Sequence, residues 1–143
     1  SAFYGILKPM DGVTPYRLEM QAKAEIEETT NLYDYWGDRL YHSVIDDSRT
    51  IINLASKEYS KCIERYLSDK DNYITITFCE LSGDKLVTKG TYAKMARGEM
   101  VRFMAENNIE NPVDIQKFDR LGYTFRGNLS SETEYVFERK VIK

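Results

Sequence analysis

The first candidate for chemistry is a loop rich in aromatic and charged residues, between Tyr4 and Met20. It reads Tyr-Gly-Ile-Leu-Lys8-Pro-Met-Asp11-Gly-Val-Thr-Pro-Tyr16-Arg17-Leu-Glu-Met. The planar guanidinium of Arg17 can bind a phosphate through two hydrogen bonds, and the rings of Tyr4 and Tyr16 can stack on nucleobases. The alternative is a rigid connecting loop, held by its prolines and by an internal Arg17–Asp11 pair.

The second candidate is the aromatic segment Tyr33-Asp-Tyr-Trp36-Gly37-Asp38-Arg39. Gly37 leaves room for a ligand to approach, Trp36 can stack on it, and Asp38 can act as an acid, a base or a hydrogen-bond acceptor. The alternative is an amphipathic helix in which Trp36 fills the core and Asp38 is solvated, since aromatic residues at helical spacing are more often core.

The third candidate is a concentration of positive charge. The segment from Lys85 to Phe103 holds one acid, Glu99, and five basic residues: Lys85, Lys89, Lys94, Arg97 and Arg102. We expect Lys94 and Arg97 on one helix face, with Gly98 beside them and Arg102 on the same flank. Such a surface can hold a phosphate backbone. The alternative, a solvated face opposite an apolar one, is equally compatible with the pattern.

Helices and strands alternate irregularly around these segments. Periodicity and turn residues predict helices over 32–45, 56–67, 91–107 and 111–118, and strands over 51–55, 73–78, 85–88, 123–126 and 134–139. The segment 82–85 is predicted to be a hairpin loop, and residues 3–18 are predicted to be irregular. This order favours a single α+β domain with a mixed, mostly antiparallel sheet and packed helices.

The overall composition excludes several classes of protein. The chain has 143 residues, a net charge of -3 and a pI near 5.3, which excludes a wholly basic nucleic-acid module. No apolar run approaches the roughly 18 residues that cross a bilayer. With one histidine, His42, and two distant cysteines, Cys62 and Cys79, we expect no metal site and no cofactor, and a reduced, cytoplasmic setting.

The sequence resembles the YaaA family of peroxide-stress-resistance proteins. The resemblance rests on collinear blocks over nearly the whole chain: Tyr4-Gly5-x-Leu7-Lys8-Pro9-x-Asp11, Pro15-Tyr16-Arg17-Leu18-Glu19-Met20, Leu32-Tyr33-x-x-Trp36-Gly37-Asp38, Ile52-Asn53-Leu54-Ala55-Ser56-x-Glu58-Tyr59 and Tyr92-Ala93-Lys94-x-Ala96-Arg97-Gly98-x-Met100-x-Arg102-Phe103. The blocks Gly122-Tyr123-x-Phe125 and Val136-Phe137-x-Arg139 extend it. Family members begin with a segment that has no counterpart here, so we expect residues 1–143 to be the C-terminal portion of a longer protein.

The resemblance implies a cytoplasmic protein that protects cells from hydrogen peroxide by limiting free iron and oxidative damage. It also implies DNA binding through a positively charged cleft. Our leading interpretation is therefore a non-enzymatic protein that binds duplex or distorted DNA. Its phosphate contacts would be Lys8, Arg17, Lys94, Arg97 and Arg102, and its stacking residues Tyr4, Tyr16 and Trp36.

The alternative interpretation is an enzyme that acts on a nucleoside or nucleobase. Asp11 or Asp38 would then be the acid or base, and Trp36 and Tyr16 would grip the base. An enzyme of this kind requires a small enclosed pocket around one of the two carboxylates. A third possibility, a protein-interaction scaffold, requires an exposed apolar patch without a cationic groove. The sequence leaves the oligomeric state open.

Overall fold

The computed structural model describes residues 1–82 and 85–140. The chain divides into two compact units. The first comprises residues 1–51 and 55–72, and the second comprises residues 52–54 and 73–143. The expectation that residues 1–143 form one domain stays a prediction.

The first unit begins with the irregular segment that the sequence predicts and continues into a small hairpin. Strands β1 (Lys23–Ile26) and β2 (Thr29–Asn31) pair antiparallel, and Glu27 at the turn has a positive φ of 54°. The sequence does not predict this hairpin, because its segment is rich in acidic and polar residues, which are depleted in strands. Here only the alternate residues Ala24 and Ile26 turn inward.

Two short helices replace the single helix predicted over 32–45. Helix α1 (Leu32–Trp36) starts at an Asn31 side chain that accepts a hydrogen bond from the backbone N–H of Asp34, and α2 (Arg39–Val44) follows. The break falls at Gly37, whose φ of 53° and ψ of -137° end the first helix. The prediction was wrong here because glycine adopts a backbone conformation that a side chain would strain.

Helix α3 (Lys57–Glu64) completes the first unit and ends earlier than residue 67, the predicted end. Its inner face and the neighbouring elements form a small apolar core, consisting of Ala2, Met20, Leu32, Leu40 and Cys62. A buried polar contact also joins distant parts of this unit. The Asp71 carboxylate accepts from the hydroxyl of Tyr41 at 2.8 Å and is paired with Arg49 at 2.6 Å.

The second unit is built on a five-stranded mixed sheet. Its strands are β3 (Thr50–Asn53), which begins in the first unit, β4 (Asn72–Ser82), β5 (Lys85–Val87), β6 (Tyr123–Phe125) and β7 (Glu134–Arg139). The order is β3-β4-β7-β6, and β5 also pairs with β4. Pairs β4–β5 and β6–β7 are antiparallel, and β4–β7 is parallel. The predicted hairpin turn at Gly83 and Asp84 lies outside the described residues.

One long helix covers this sheet. Helix α4 (Gly90–Glu106) turns Ala93, Ala96, Met100 and Phe103 inward, at the spacing of three and four residues that the sequence analysis predicts. These side chains pack with the aromatic side chains Phe78, Phe118, Tyr123, Tyr135 and Phe137. Asn111 caps a short 3-10 helix (Pro112–Lys117), and two single-turn 3-10 helices (Arg120–Gly122 and Gly127–Leu129) flank β6. The predicted α+β class with a mixed sheet is confirmed.

Candidate nucleic-acid interface

The structure divides the candidate residues between the two units. Lys94, Arg97 and Arg102 lie on α4 in the second unit. The other five candidates lie in the first unit: Tyr4, Lys8, Tyr16, Arg17 and Trp36.

Strand β5, the residue before α4 and the first half of α4 present a basic surface, which we call the hairpin–helix surface: Lys85, Lys89, Lys94 and Arg97. The three lysines are exposed, and Arg97 is half-buried. Residues 85–98 contain no acidic side chain. Because the apolar residues of α4 face the sheet, Lys94 points away from the core on the opposite side of the helix.

Helical periodicity separates the three basic residues of α4. At 3.6 residues per turn, Arg97 lies about 60° to one side of Lys94, and Arg102 lies about 80° to the other side. Arg97 and Arg102 are thus about 140° apart around the helix, rather than on the one flank that the sequence analysis expected. The Nε atom of Arg97 is shielded from solvent and has no hydrogen-bond partner among the described residues.

The second half of α4 neutralises its own positive charge. The Nε of Arg102 donates to the carboxylate of Glu106 at 2.7 Å. Arg120 donates to Glu106 at 2.6 Å and to Glu99 at 3.3 Å. The hydrogen bond from Arg102, which has the largest effect, and the one from Arg120 lower the pKa of the Glu106 carboxyl. The acid therefore stays charged beside its partners. Positive charge is consequently least compensated at the start of the helix.

The first turn of α4 rests on a buried ion pair. Glu80 on β4 and Arg139 on β7 are register partners of the parallel pair, and their charged atoms are 2.6 Å apart. The guanidinium of Arg139 also lies 3.6 Å from the centroid of the Tyr92 ring. Burial raises the pKa of the neighbouring Tyr123 phenol, while Arg139 works in the opposite direction. This cluster neutralises its own charge and supports the start of the hairpin–helix surface.

In the first unit, the loop brings Tyr4 and Tyr16 together. Their ring centroids are 5.6 Å apart in an edge-to-face arrangement, and Phe3 contacts both rings. The hydroxyl of Tyr4 accepts a hydrogen bond from the backbone N–H of Thr14 at 3.0 Å. Lys8 and Arg17 are exposed. The loop thus exposes the Tyr16 ring and the two cations to solvent, whereas Tyr4 is half-buried.

The remaining candidates of the first unit lie around Gly5 and Gly37. The indole N–H of Trp36 donates to the carbonyl of Ala2 at 2.9 Å, and its ring packs against Gly5. Asp11 accepts a hydrogen bond from the backbone N–H of Lys8 at 2.7 Å. Asp38 lies 3.2 Å from the imidazole of His42. Both aspartates are exposed, so neither has the enclosure that the nucleobase-enzyme interpretation requires.

The first unit also contains a small cleft of about 350 Å³ that the sequence did not predict. Its lining residues come from three segments: Gln21, Tyr33, Lys57, Glu58 and Lys61. The signal in the sequence is the spacing of Lys57 and Lys61, which places both on one face of α3 beside Glu58. The sequence does not show that Gln21 and Tyr33 lie next to α3, so this spacing by itself indicates only a solvated helix face.

Within the part of the chain that the structure describes, no three His, Cys, Asp or Glu side chains converge to form a group that can hold a metal ion. In residues 1–82 and 85–140, no helix is both long enough and apolar enough to cross a membrane. The two cysteines are buried and not joined by a disulfide, and burial raises the pKa of both thiols.

The fold and the exposed basic surface define an α+β protein with a cationic hairpin and helix. A family model described as "Peroxide stress protein YaaA" matches residues 1–129. The chain belongs to this family, which confirms the resemblance seen in the sequence.

Similar curated proteins extend across almost the whole chain. A UPF0246 protein of Agathobacter rectalis is 79% identical over 141 residues, which are 99% of this chain and 57% of that protein. UPF0246 proteins of Lachnoclostridium phytofermentans and Desulfitobacterium hafniense are 56% and 54% identical, and the matches cover 54% and 57% of their lengths. The chain therefore spans little more than half the length of the curated relatives it matches.

Proposed function

We propose that this chain binds DNA through the hairpin–helix surface, and that this binding serves the peroxide-stress role for which its family is named. The observation that carries the proposal is the uncompensated charge of the surface. Four basic residues and no acid lie between residues 85 and 98, and three of the four side chains are exposed lysines. A polyanionic backbone is the partner that such a local surface favours in a protein of net charge -3.

The loop of the first unit supplies a second set of contacts in this proposal. Lys8 and Arg17 contact phosphates, while Tyr4 and Tyr16 stack on bases that are unpaired or easily unstacked. Trp36 contributes through the part of its ring that does not pack on Gly5. Because stacking requires an accessible base face, the preferred DNA is a distorted duplex with bulged or open positions.

The family resemblance supports the remaining parts of the proposal. They are a cytoplasmic location and a role in limiting free iron and the oxidative damage it causes to DNA. The chain's own contribution is to hold DNA. The handling of iron falls to other parts of the whole protein or to its partners.

The test is the salt dependence of DNA binding, measured by fluorescence anisotropy with duplex, bulged and single-stranded oligonucleotides. Five phosphate contacts, from the three exposed lysines of the surface and from Lys8 and Arg17, give a slope of about -4.5 in a plot of log K against log salt for duplex DNA. The double substitution Lys89→Glu/Lys94→Glu should weaken binding to all three DNAs. Lys70→Glu/Lys140→Glu, two exposed lysines outside the surface, is the control with the same charge change.

Two results would overturn the proposal. One is binding that is insensitive to salt. The other is an equal loss of affinity in the two double variants, because the net charge of the chain rather than the hairpin–helix surface would then decide binding.

A further inference from the structure

The cleft beside α3 combines groups of opposite charge with an aromatic wall. Lys57 and Lys61 are one helical turn apart on α3, and both side chains are exposed at the cleft. Glu58 lies between them in sequence, and Gln21 lines the cleft from the segment before β1. A volume of about 350 Å³ is at the lower end of the range for small-molecule sites.

Tyr33 fixes one wall of this cleft. Its hydroxyl donates to the backbone carbonyl of Glu58 at 2.9 Å, which attaches α1 to the first turn of α3. The ammonium of Lys61 lies 5.0 Å from the centroid of the Tyr33 ring, and the guanidinium of Arg65 lies 5.1 Å from it. Burial raises the pKa of the Tyr33 phenol, so the hydroxyl keeps its proton and remains a donor.

The Glu58 carboxylate is only partly satisfied. Its Oε1 atom is shielded from solvent and has no hydrogen-bond partner among the described residues. A buried polar atom without a partner is costly, and most such atoms in native proteins have one. Glu58 is also one of the residues that line the cleft, so a hydrogen-bond donor bound there lies beside its side chain.

The charges of the cleft restrict the ligand. A simple anion would satisfy Lys57 and Lys61 but would face the negative charge of Glu58. A simple cation would pair with Glu58 but would be repelled by Lys57 and Lys61. A ligand that carries both an anionic group and a separate hydrogen-bond donor satisfies both sets of groups.

We propose that this cleft binds a phosphorylated ligand of nucleotide size, with Lys57 and Lys61 on the phosphate and Glu58 accepting from an amino or hydroxyl group. Such a ligand has two sources, a free mononucleotide and a nucleotide within a nucleic-acid chain. The inference does not rest on the proposed DNA-binding surface, because the cleft belongs to the first unit and that surface to the second.

The experiment is an NMR titration of the isotope-labelled chain with adenosine monophosphate, adenosine, inorganic phosphate and a short oligonucleotide. Adenosine monophosphate should shift the amide resonances of Gln21, Tyr33 and Lys57 saturably. Lys57→Ala/Lys61→Ala should weaken this binding about tenfold or more, since two charged contacts are lost. Lys70→Ala, an exposed lysine away from the cleft, is the control.

Glu58→Gln tests the contact of Glu58 with the amino or hydroxyl group separately from the lysine contacts with the phosphate. Glutamine keeps the shape of the side chain but accepts hydrogen bonds more weakly. It should weaken the binding of adenosine monophosphate and leave that of inorganic phosphate unchanged or stronger. Dispersed spectra of both variants establish that they are folded.

Each outcome of the titration either supports or contradicts the proposal. Saturable shifts at the cleft with the mononucleotide support a free ligand, and shifts with the oligonucleotide alone support a nucleotide within a chain. The proposal fails if neither ligand shifts the cleft resonances saturably. It also fails if the shifts survive in the Lys57→Ala/Lys61→Ala variant.

Discussion

The guanidinium of Arg139 lies 3.6 Å from the centroid of the Tyr92 ring and joins the last residue of β7 to the first turn of α4. The same guanidinium is paired with Glu80, whose side chain is almost completely buried. The start of the cationic helix is therefore supported by a charge pair beneath it, and the pair depends on both partners.

Glu80→Gln should destabilise the protein by about 3 kcal/mol, because it leaves the half-buried Arg139 charge without its carboxylate partner. Urea unfolding followed by circular dichroism measures the change. Lys117→Ala breaks the exposed pair with Asp114 and serves as the control, with an expected loss below about 1 kcal/mol. Equal effects of the two substitutions would contradict the buried role of Glu80.

Gly5→Ala should destabilise the first unit, whereas Gly12→Ala in the same loop should not. Gly5 has a φ of 71°, and a Cβ there would lie 2.9 Å from the Trp36 ring. Gly12 has no atom within 4 Å of such a Cβ and no positive φ. We expect a loss of more than about 1 kcal/mol for Gly5→Ala and a change within about 0.5 kcal/mol for Gly12→Ala. Thermal unfolding of both variants checks the difference.

The Asp71 carboxylate should make stability fall in acid. Hydrogen bonds lower its pKa from the ordinary value of 3.8, first the one from the backbone N–H of Ser68 and then that from Tyr41. Between the folded pKa and 3.8 the unfolded chain binds more protons, so the free energy of unfolding decreases as pH falls through this window.

Asp71→Asn should remove this part of the acid dependence and should lower stability at neutral pH. Unfolding free energies measured from pH 7 down to about pH 2 test the expectation. Asp69→Asn, a change of an exposed aspartate two residues away, is the matched control. An unchanged acid slope in Asp71→Asn would show that another carboxylate is responsible.

Lys94→Ala should weaken DNA binding more than Arg102→Ala. Arg102 already donates to Glu106 at 2.7 Å, so its charge is partly compensated, whereas Lys94 is exposed in a segment free of acids. Glu106→Ala should strengthen binding, because it releases Arg102 and leaves Arg120 paired with Glu99 alone. Anisotropy titrations at one fixed salt concentration compare the three variants. A larger loss for Arg102→Ala would move the interface to the second half of α4.

The sequence by itself determined the elements whose patterns are strong and local. The residues at 93, 96, 100 and 103 specify the buried face of α4, and the β-branched and aromatic run after Asn72 specifies the central strand. The α+β class and the concentration of basic residues on the hairpin and helix follow from the same reading. These features depend on periodicity and composition within one segment, which neighbouring parts of the chain do not alter.

Tertiary structure decided the features that depend on distant residues. The parallel pairing of β4 with β7 places Glu80 opposite Arg139, 59 positions away in the sequence. Glu106 and Arg120, and likewise Tyr33 and Glu58, are also distant in the sequence and are joined by hydrogen bonds in the fold. Charge counting along the chain finds where basic residues concentrate. Which of those charges remain available for a partner depends on which acids the fold brings within a few ångströms, because compensation acts over that distance.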